Sequence, residues 1–161
     1  MPKYVILDID DTLVYNSNFN KYIPKDNTRE AWDLYLEKIN YYNQVEYNYD
    51  MINILKMLAK DYIILFVTSR ENTPDGKVLD NTYRTLYDIV NLKDIKHMLF
   101  IREYNDFRPS WEVKEDLFTK YNLEPKDVVL AIDDNTGNIN MFKKYGITTL
   151  QITIGDNYES I

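Results

Sequence analysis

The stretch Lys3-Tyr4-Val5-Ile6-Leu7-Asp8, followed at once by Ile9-Asp10-Asp11-Thr12-Leu13, decides how the whole chain is read. Its first half is a short, mostly apolar run that ends on a carboxylate. Such a run, lacking alternation, predicts a strand buried on both faces, as in a parallel sheet. The second half brings Asp10 and Asp11 within three residues of Asp8, so three carboxylates crowd one strand end. They repel one another unless a cation sits among them. If strand geometry persists briefly, Asp8 and Asp10 start toward the same side, and a hard divalent ion such as Mg²⁺ would find oxygen ligands there. Taken alone, the stretch also suits a solvated acidic turn capping a strand.

Working outward, Tyr62 to Thr68, Met98 to Ile101, Val128 to Ile132 and Thr148 to Thr153 repeat the apolar pattern. Helical stripes lie between them. Trp32, Tyr35, Leu36, Ile39 and Tyr42 share one face, and Met51, Ile52, Leu55, Leu58 and Ala59 another. Val113, Leu117, Phe118 and Tyr121 form a third stripe, and Ile139, Phe142 and Tyr145 a fourth. Asp50 is placed as an N-cap and Gly146 as a helix stop. Strands alternating with helices predict an α/β doubly wound parallel sheet in a single domain over residues 1–161. Residues 15 to about 49 interrupt the alternation with an Asn-rich loop and an aromatic helix. They read as an insertion over the sheet's carboxyl edge, where such folds place their active sites and where long insertions often act as lids.

Composition excludes several classes. A chain of 161 residues buries enough surface to fold without staples, and it has no cysteine. No apolar run approaches a membrane span, and the opening Met-Pro-Lys lacks a signal-peptide layout, so a cytoplasmic, soluble protein is expected. The net charge of −7 disfavours an extended grip on nucleic acid but still allows a few local cations to hold one phosphate. The 15 tyrosines fit either an AT-rich coding bias or a surface that stacks bases. The four glycines form no triphosphate-cradling loop.

Three further clusters stand at the ends of predicted elements. Thr68-Ser69-Arg70 follows the second strand, where a hydroxyl and a guanidinium fork can hold phosphate oxygens. Lys114 lies near the start of a helix beginning around Trp111 and could aim its ammonium at the sheet edge. Asp133-Asp134 ends a later strand and could complete a metal site with the first cluster. Each has a plainer reading as a loop arginine, a solvated lysine or a solvated turn. Four termini ending in complementary chemistry are better explained together, as one site for a divalent cation and a phosphoryl group.

This order of parts resembles the haloacid dehalogenase (HAD) superfamily, whose D-x-D-x-T motif is matched by Asp8, Asp10 and Thr12. Thr68, Lys114 and Asp133-Asp134 match its later motifs, and residues 15 to about 49 look like its C1-type cap. A longer pattern, Arg102-Glu103-x-x-Asp106-x-Arg108 leading to Val113-Lys114-Glu115, is similar to the phosphatase half of phage polynucleotide kinase/phosphatases. Thr68-x-Arg70-Glu71, Ala131-Ile132-Asp133-Asp134, Leu150-Gln151 and Gly155-Asp156 extend it. Asp11 departs from the family's usual Gly, and Asn135 from a frequent Arg.

The resemblance implies an HAD-like Rossmannoid fold and a phosphomonoesterase in the cytoplasm, the host's if the chain is phage-encoded. Asp8 would be the nucleophile, forming an aspartyl-phosphate, and Asp10 the general acid and base. Thr68 and Lys114 would hold the phosphoryl group. Asp8, the Asp10 carbonyl and Asp133 would bind Mg²⁺, with Asp134 acting through water or on Lys114. Arg70, Arg102 and Arg108 are candidate contacts to substrate, and Tyr41 or Tyr42 a candidate base stack. The expected substrate is a 3′-phosphorylated nucleic-acid end or nucleotide. A 5′-nucleotidase of the same superfamily is the nearest alternative, and a phosphoacceptor signalling domain or a binding module a more distant one. Motif order argues against a signalling receiver, because here the threonine follows the first acidic cluster and a second acidic pair comes late. His97, the sole histidine, is assigned no role.

Overall fold

The computed structural model describes residues 1–153. Five parallel strands form one sheet: β1 (Tyr4–Asp8), β4 (Ile63–Glu71), β5 (His97–Arg102), β6 (Val128–Asp133) and β7 (Thr149–Gln151), in the order β5-β4-β1-β6-β7. The apolar runs become strands because each faces helices on both sides. Val5, Leu7, Ile64 and Phe66 face one way, onto α3 (Tyr49–Leu58) and α4 (Lys77–Ile89). Ile6, Leu65, Val67 and Ala131 face the other way, onto α5 (Ser110–Lys120) and α6 (Thr136–Lys144). Period-two alternation thus feeds two cores at once, which is why the central stretches of these strands are continuously apolar.

From β1 the chain moves outward through β4 to β5, then returns across the sheet to β6 and β7. The reversal lies at the carboxyl end of β1, the position where open α/β sheets form their ligand crevice. Asp8 pairs with Val67 and Leu7 with Ile132. The next residues, Thr68 and Asp133, therefore emerge beside Asp8 on the two flanking strands.

The segment between β1 and α3 holds the two-residue strands β2 (Val14–Tyr15) and β3 (Glu46–Tyr47), paired antiparallel, with the short helix α1 (Ser17–Asn20) and α2 (Arg29–Lys38) between them. Phe19, Tyr35, Leu36, Ile39 and Tyr41 pack there with Val78 of α4 and Ile101 of β5. The segment is thus held to the sheet's carboxyl edge by its own apolar cluster. Among the described residues, no helix is long and apolar enough to cross a membrane.

Several local expectations change. The N-cap of α3 is Asn48, whose side chain accepts the Met51 N–H, and Asp50 falls inside the first turn, where its charge complements the helix dipole. Tyr42 lies beyond α2 and is half-buried, while its neighbour Tyr41 is buried. Strand β4 runs on through Ser69, Arg70 and Glu71. Helix α4 has no counterpart among the predicted stripes, because its buried face carries Asn81, Thr82 and Thr85 among Val78, Leu86 and Ile89. Gly146 does end α6, at φ 74°, a left-handed conformation that glycine adopts without strain. Gly155 and Asp156 lie outside the described residues.

Candidate active site

Asp8, the last residue of β1, is buried with its carboxylate against two donors. Lys114 Nζ donates to Oδ1 at 2.6 Å and Thr12 Oγ1 donates to Oδ2 at 2.8 Å. Lys114 projects from the first turns of α5 and is only 2% exposed. It also donates to Oδ2 of Asp133, at the end of β6, at 2.7 Å. One buried ammonium thus bridges the ends of two strands that flank the crevice. Burial opposes the lysine's charge, but the carboxylates of Asp8 and Asp133 outweigh it and hold the ammonium protonated well above the ordinary lysine range. For Asp8, burial comes first and the charges of Asp133 and Asp10 add to it. Together they push its carboxyl well above the usual range in spite of Lys114. Asp134 is pushed up to about 7, again chiefly by burial and then by Asp133 and Asp11.

An accumulation of raised carboxyls is the condition a cation relieves. One oxygen each from Asp8, Asp133 and Asp134 lies within 4.8 Å of the others. All three donors are hard oxygens, which fits Mg²⁺ and not a soft metal. The Asp10 side chain lies outside this trio, so any ligation by Asp10 falls to its main-chain carbonyl. Asn138, on the first turn of α6, orients Asp133 by donating to both of its oxygens at 3.0 and 3.1 Å. Asn135 caps the same helix through the Asn138 N–H and donates its own N–H to Asp133 Oδ1. The residue that departs from the family pattern therefore has a positioning role of its own.

Asp10 is held separately. Arg70 grips its carboxylate through Nη2 at 2.7 Å and Nε at 2.9 and 3.0 Å. Thr68 Oγ1 donates to Oδ2 at 3.0 Å and Asn16 Nδ2 to Oδ1 at 2.7 Å. Burial would raise this carboxyl, but the guanidinium outweighs it and leaves Asp10 below its ordinary range. Asp11 adopts φ 57°, which explains why a glycine suits this position. Its side chain compensates by accepting the Asn16 N–H at 3.0 Å.

The expected residues thus separate into groups. Asp8, Asp10, Thr68, Arg70, Lys114, Asp133 and Asp134 converge on one crevice. Within it Arg70 is almost fully buried, with Thr82 Oγ1 on Nη1 and the Tyr41 ring 4.1 Å from its guanidinium carbon. Arg102 donates to the carbonyls of Ser69, Asp106 and Arg108, and Arg108 pairs with Asp106 and Asp116. Both line a neighbouring cavity that shares Ser69 and Tyr41 with the crevice. Tyr42 lies near Arg84 instead, 5.9 Å from its guanidinium carbon. Sequence reasoning missed Asn16 and Asn138. For Asn138 the three-residue spacing from Asn135 at a helix start was the available signal; Asn16 has nothing to set it apart from its many asparagine neighbours.

Known proteins resemble this chain in sequence and in fold. The family model described as the polynucleotide kinase PNKP phosphatase domain matches residues 2–157. A chain of the Pnkp1/Rnl/Hen1 complex is similar with a TM-score of 0.69 at 24% identity, over 97% of this chain and 47% of that one. This chain therefore spans under half the length of that relative. A haloacid dehalogenase-like hydrolase from Streptococcus pneumoniae is similar at TM-score 0.61 and 17% identity, over 94% and 85% of the two chains. A HAD family enzyme from Bacteroides thetaiotaomicron, in complex with magnesium and inorganic phosphate, is similar at TM-score 0.56 and 15% identity, over 99% and 98%. The structural likenesses establish the fold, and the family match covers nearly the whole sequence. The chain belongs to the PNKP phosphatase-domain family of the HAD superfamily.

Proposed function

We propose that this protein is a Mg²⁺-dependent phosphomonoesterase that removes 3′-phosphates from nucleic-acid ends or nucleotides through an aspartyl-phosphate on Asp8. The observation that supports it most is the buried Lys114 ammonium between Asp8 and Asp133, with Asp134 completing the oxygen cluster. A phosphoryl group brings two negative charges into this crevice. The site answers them with Lys114 and with a cation held by Asp8, Asp133, Asp134 and the Asp10 carbonyl. Such an ion would neutralise phosphoryl oxygens.

Asp8 attacks phosphorus as the bond to the leaving 3′-oxygen breaks, and Asp10 delivers a proton to that oxygen. Asp10 then takes a proton from water as the water attacks phosphorus, releasing inorganic phosphate and restoring the Asp8 carboxylate. Arg70 favours the ionised form of Asp10, which suits the second step; for the first, Asp10 must loosen from Arg70 and carry a proton. Thr12 and Lys114 hold the nucleophile, and Thr68 holds Asp10 through its hydroxyl. Residues 15 to about 49 act as a small cap over this edge.

The family match favours nucleic-acid ends as substrate, and so does the similarity to a chain solved within an RNA repair complex. The test is a phosphate-release screen of 3′-phosphorylated oligonucleotides against 3′- and 5′-mononucleotides, with Mg²⁺. Preference for 5′-monophosphates would move the reading to a nucleotidase.

A further inference from the structure

Beside the acidic crevice lies a cavity of about 280 Å³, and the two share Tyr41 and Ser69. One wall comes from the segment between β1 and α3, with Asn27, Trp32 and Tyr35. The other comes from the carboxyl ends of β4 and β5, with Glu71 and Phe107. The aromatic wall is ordered: Trp32 meets Tyr35 edge-on at 5.4 Å and 84°. The indole N–H is already given to Asn27 Oδ1 at 2.7 Å, which locks the ring and leaves the Asn27 amide N–H groups to a ligand.

The polar groups decide what this cavity takes. Its two arginines line it but are committed, Arg102 to three main-chain carbonyls and Arg108 to Asp106 and Asp116. Its carboxylates are paired as well, Asp106 with Arg108 and the buried Glu71 with Arg29. The hydrogen bonds to Glu71 from Arg29 and the Asn105 N–H both fall on Oε1 among the described residues, so Oε2 is left to accept. A cavity whose charged side chains are all engaged with one another or with main-chain carbonyls, among the described residues, does not suit a second phosphate. Aromatic faces with one donor and one acceptor at their edge suit a neutral, flat, hydrogen-bonding ring. Its volume lies at or below the lower end of small-ligand sites, and a base fits within it.

We propose that this cavity seats the nucleobase of the nucleotide that bears the terminal phosphate, stacked on Trp32. This rests on the reading of the site as a nucleic-acid 3′-phosphatase, and it makes the terminal nucleotide the unit of recognition. Selectivity for nucleotides over other phosphomonoesters then resides in the segment between β1 and α3, while the chemistry resides in the sheet. It also accounts for how a chain of net charge −7 selects a nucleotide without a basic track.

The experiment uses Trp111→Phe, which leaves Trp32 as the sole indole; Trp111 is partly exposed on α5 and lies outside this cavity. Adenosine and guanosine, which carry no phosphate, are titrated against its fluorescence. Saturable change with nucleoside, and none with ribose or inorganic phosphate, is expected. In parallel, Trp32→Leu should lower kcat/KM for a 3′-phosphorylated mononucleotide by about 5- to 150-fold, the range for losing one base stack. It should leave hydrolysis of glycerol 2-phosphate, which has no base, unchanged, and Trp32→Phe should recover part of the loss. No fluorescence response to either nucleoside, or equal losses on both esters, overturns the assignment. The fluorescence arm needs no turnover, so an inactive protein that binds nucleosides would refute the phosphatase reading and not the base site.

Discussion

Replacing Lys114 by Met tests the electrostatic core of the site, because it keeps most of the aliphatic stem and removes one charge. In the wild type that charge is 2% exposed and makes both short contacts, 2.6 Å to Asp8 and 2.7 Å to Asp133. Without it, two buried carboxylates face each other with Asp134 beside them. Breaking a buried pair by removing one partner costs about 3–5 kcal/mol. Part of that is relieved by protonation, which gives the effect a pH signature. A carboxyl whose pKa is raised on folding contributes its full stability below its unfolded value of about 4, and loses it as pH rises toward the folded value. In Lys114→Met the folded value rises further, so the deficit grows with pH by as much as about 1.4 kcal/mol per unit for one proton. The assay is urea denaturation in EDTA at about pH 5 and about pH 7.5, where a deficit of about 3–5 kcal/mol at the higher pH should shrink by about 1–3 at the lower. Added Mg²⁺ should recover part of the loss, by putting positive charge back among the carboxylates. A deficit below about 1 kcal/mol, or one equal at both pH values, refutes the reasoning, since it would mean that solvent already screens the pair.

Asp8→Asn should abolish turnover with the fold intact; activity above about a tenth of wild type excludes covalent catalysis by this residue. Asp10→Asn should lose about 10²–10⁴ in kcat on an alkyl phosphate and much less on p-nitrophenyl phosphate, whose leaving group needs little protonation. Equal losses would remove Asp10 from the acid role. EDTA should stop the reaction, Mg²⁺ restore it and Ca²⁺ restore it poorly, because the larger ion takes more ligands at longer distance; full activity in Ca²⁺ contradicts the proposed oxygen site. Asn138→Ala should weaken apparent Mg²⁺ affinity by about 10- to 100-fold, as it removes the amide that orients both Asp133 oxygens. A titration of activity against Mg²⁺ concentration reads the shift, and an unchanged midpoint would make Asn138 purely structural.

The residues of the candidate site were legible in the sequence for a local reason. Asp8, Thr68 and Asp133 each end an apolar run or follow it at once, and such a run reads as a strand of a covered parallel sheet, whose carboxyl edge carries the crevice. Lys114 was legible from its place near a helix start, and only through its match to the family pattern. What stayed hidden were partnerships across long stretches of chain. Arg70 reads as a phosphate ligand until β4 and β1 are laid side by side, and then its guanidinium is found on Asp10. Arg102 and Arg108 read as free cations until the turn between β5 and α5 closes on them. Helix α4 escaped because Asn81, Thr82 and Thr85 are buried polar residues, the two threonine hydroxyls bonding within the helix and to Tyr41 and Arg70, and hydrophobic periodicity does not register them. By itself the sequence determined the parallel sheet, the acidic strand ends and the family, since period and motif are properties of neighbouring residues. Which cation meets which carboxylate, and that an aromatic cavity opens beside the crevice, only the tertiary structure decided, because those contacts depend on strand order and on how the inserted segment packs against the sheet edge.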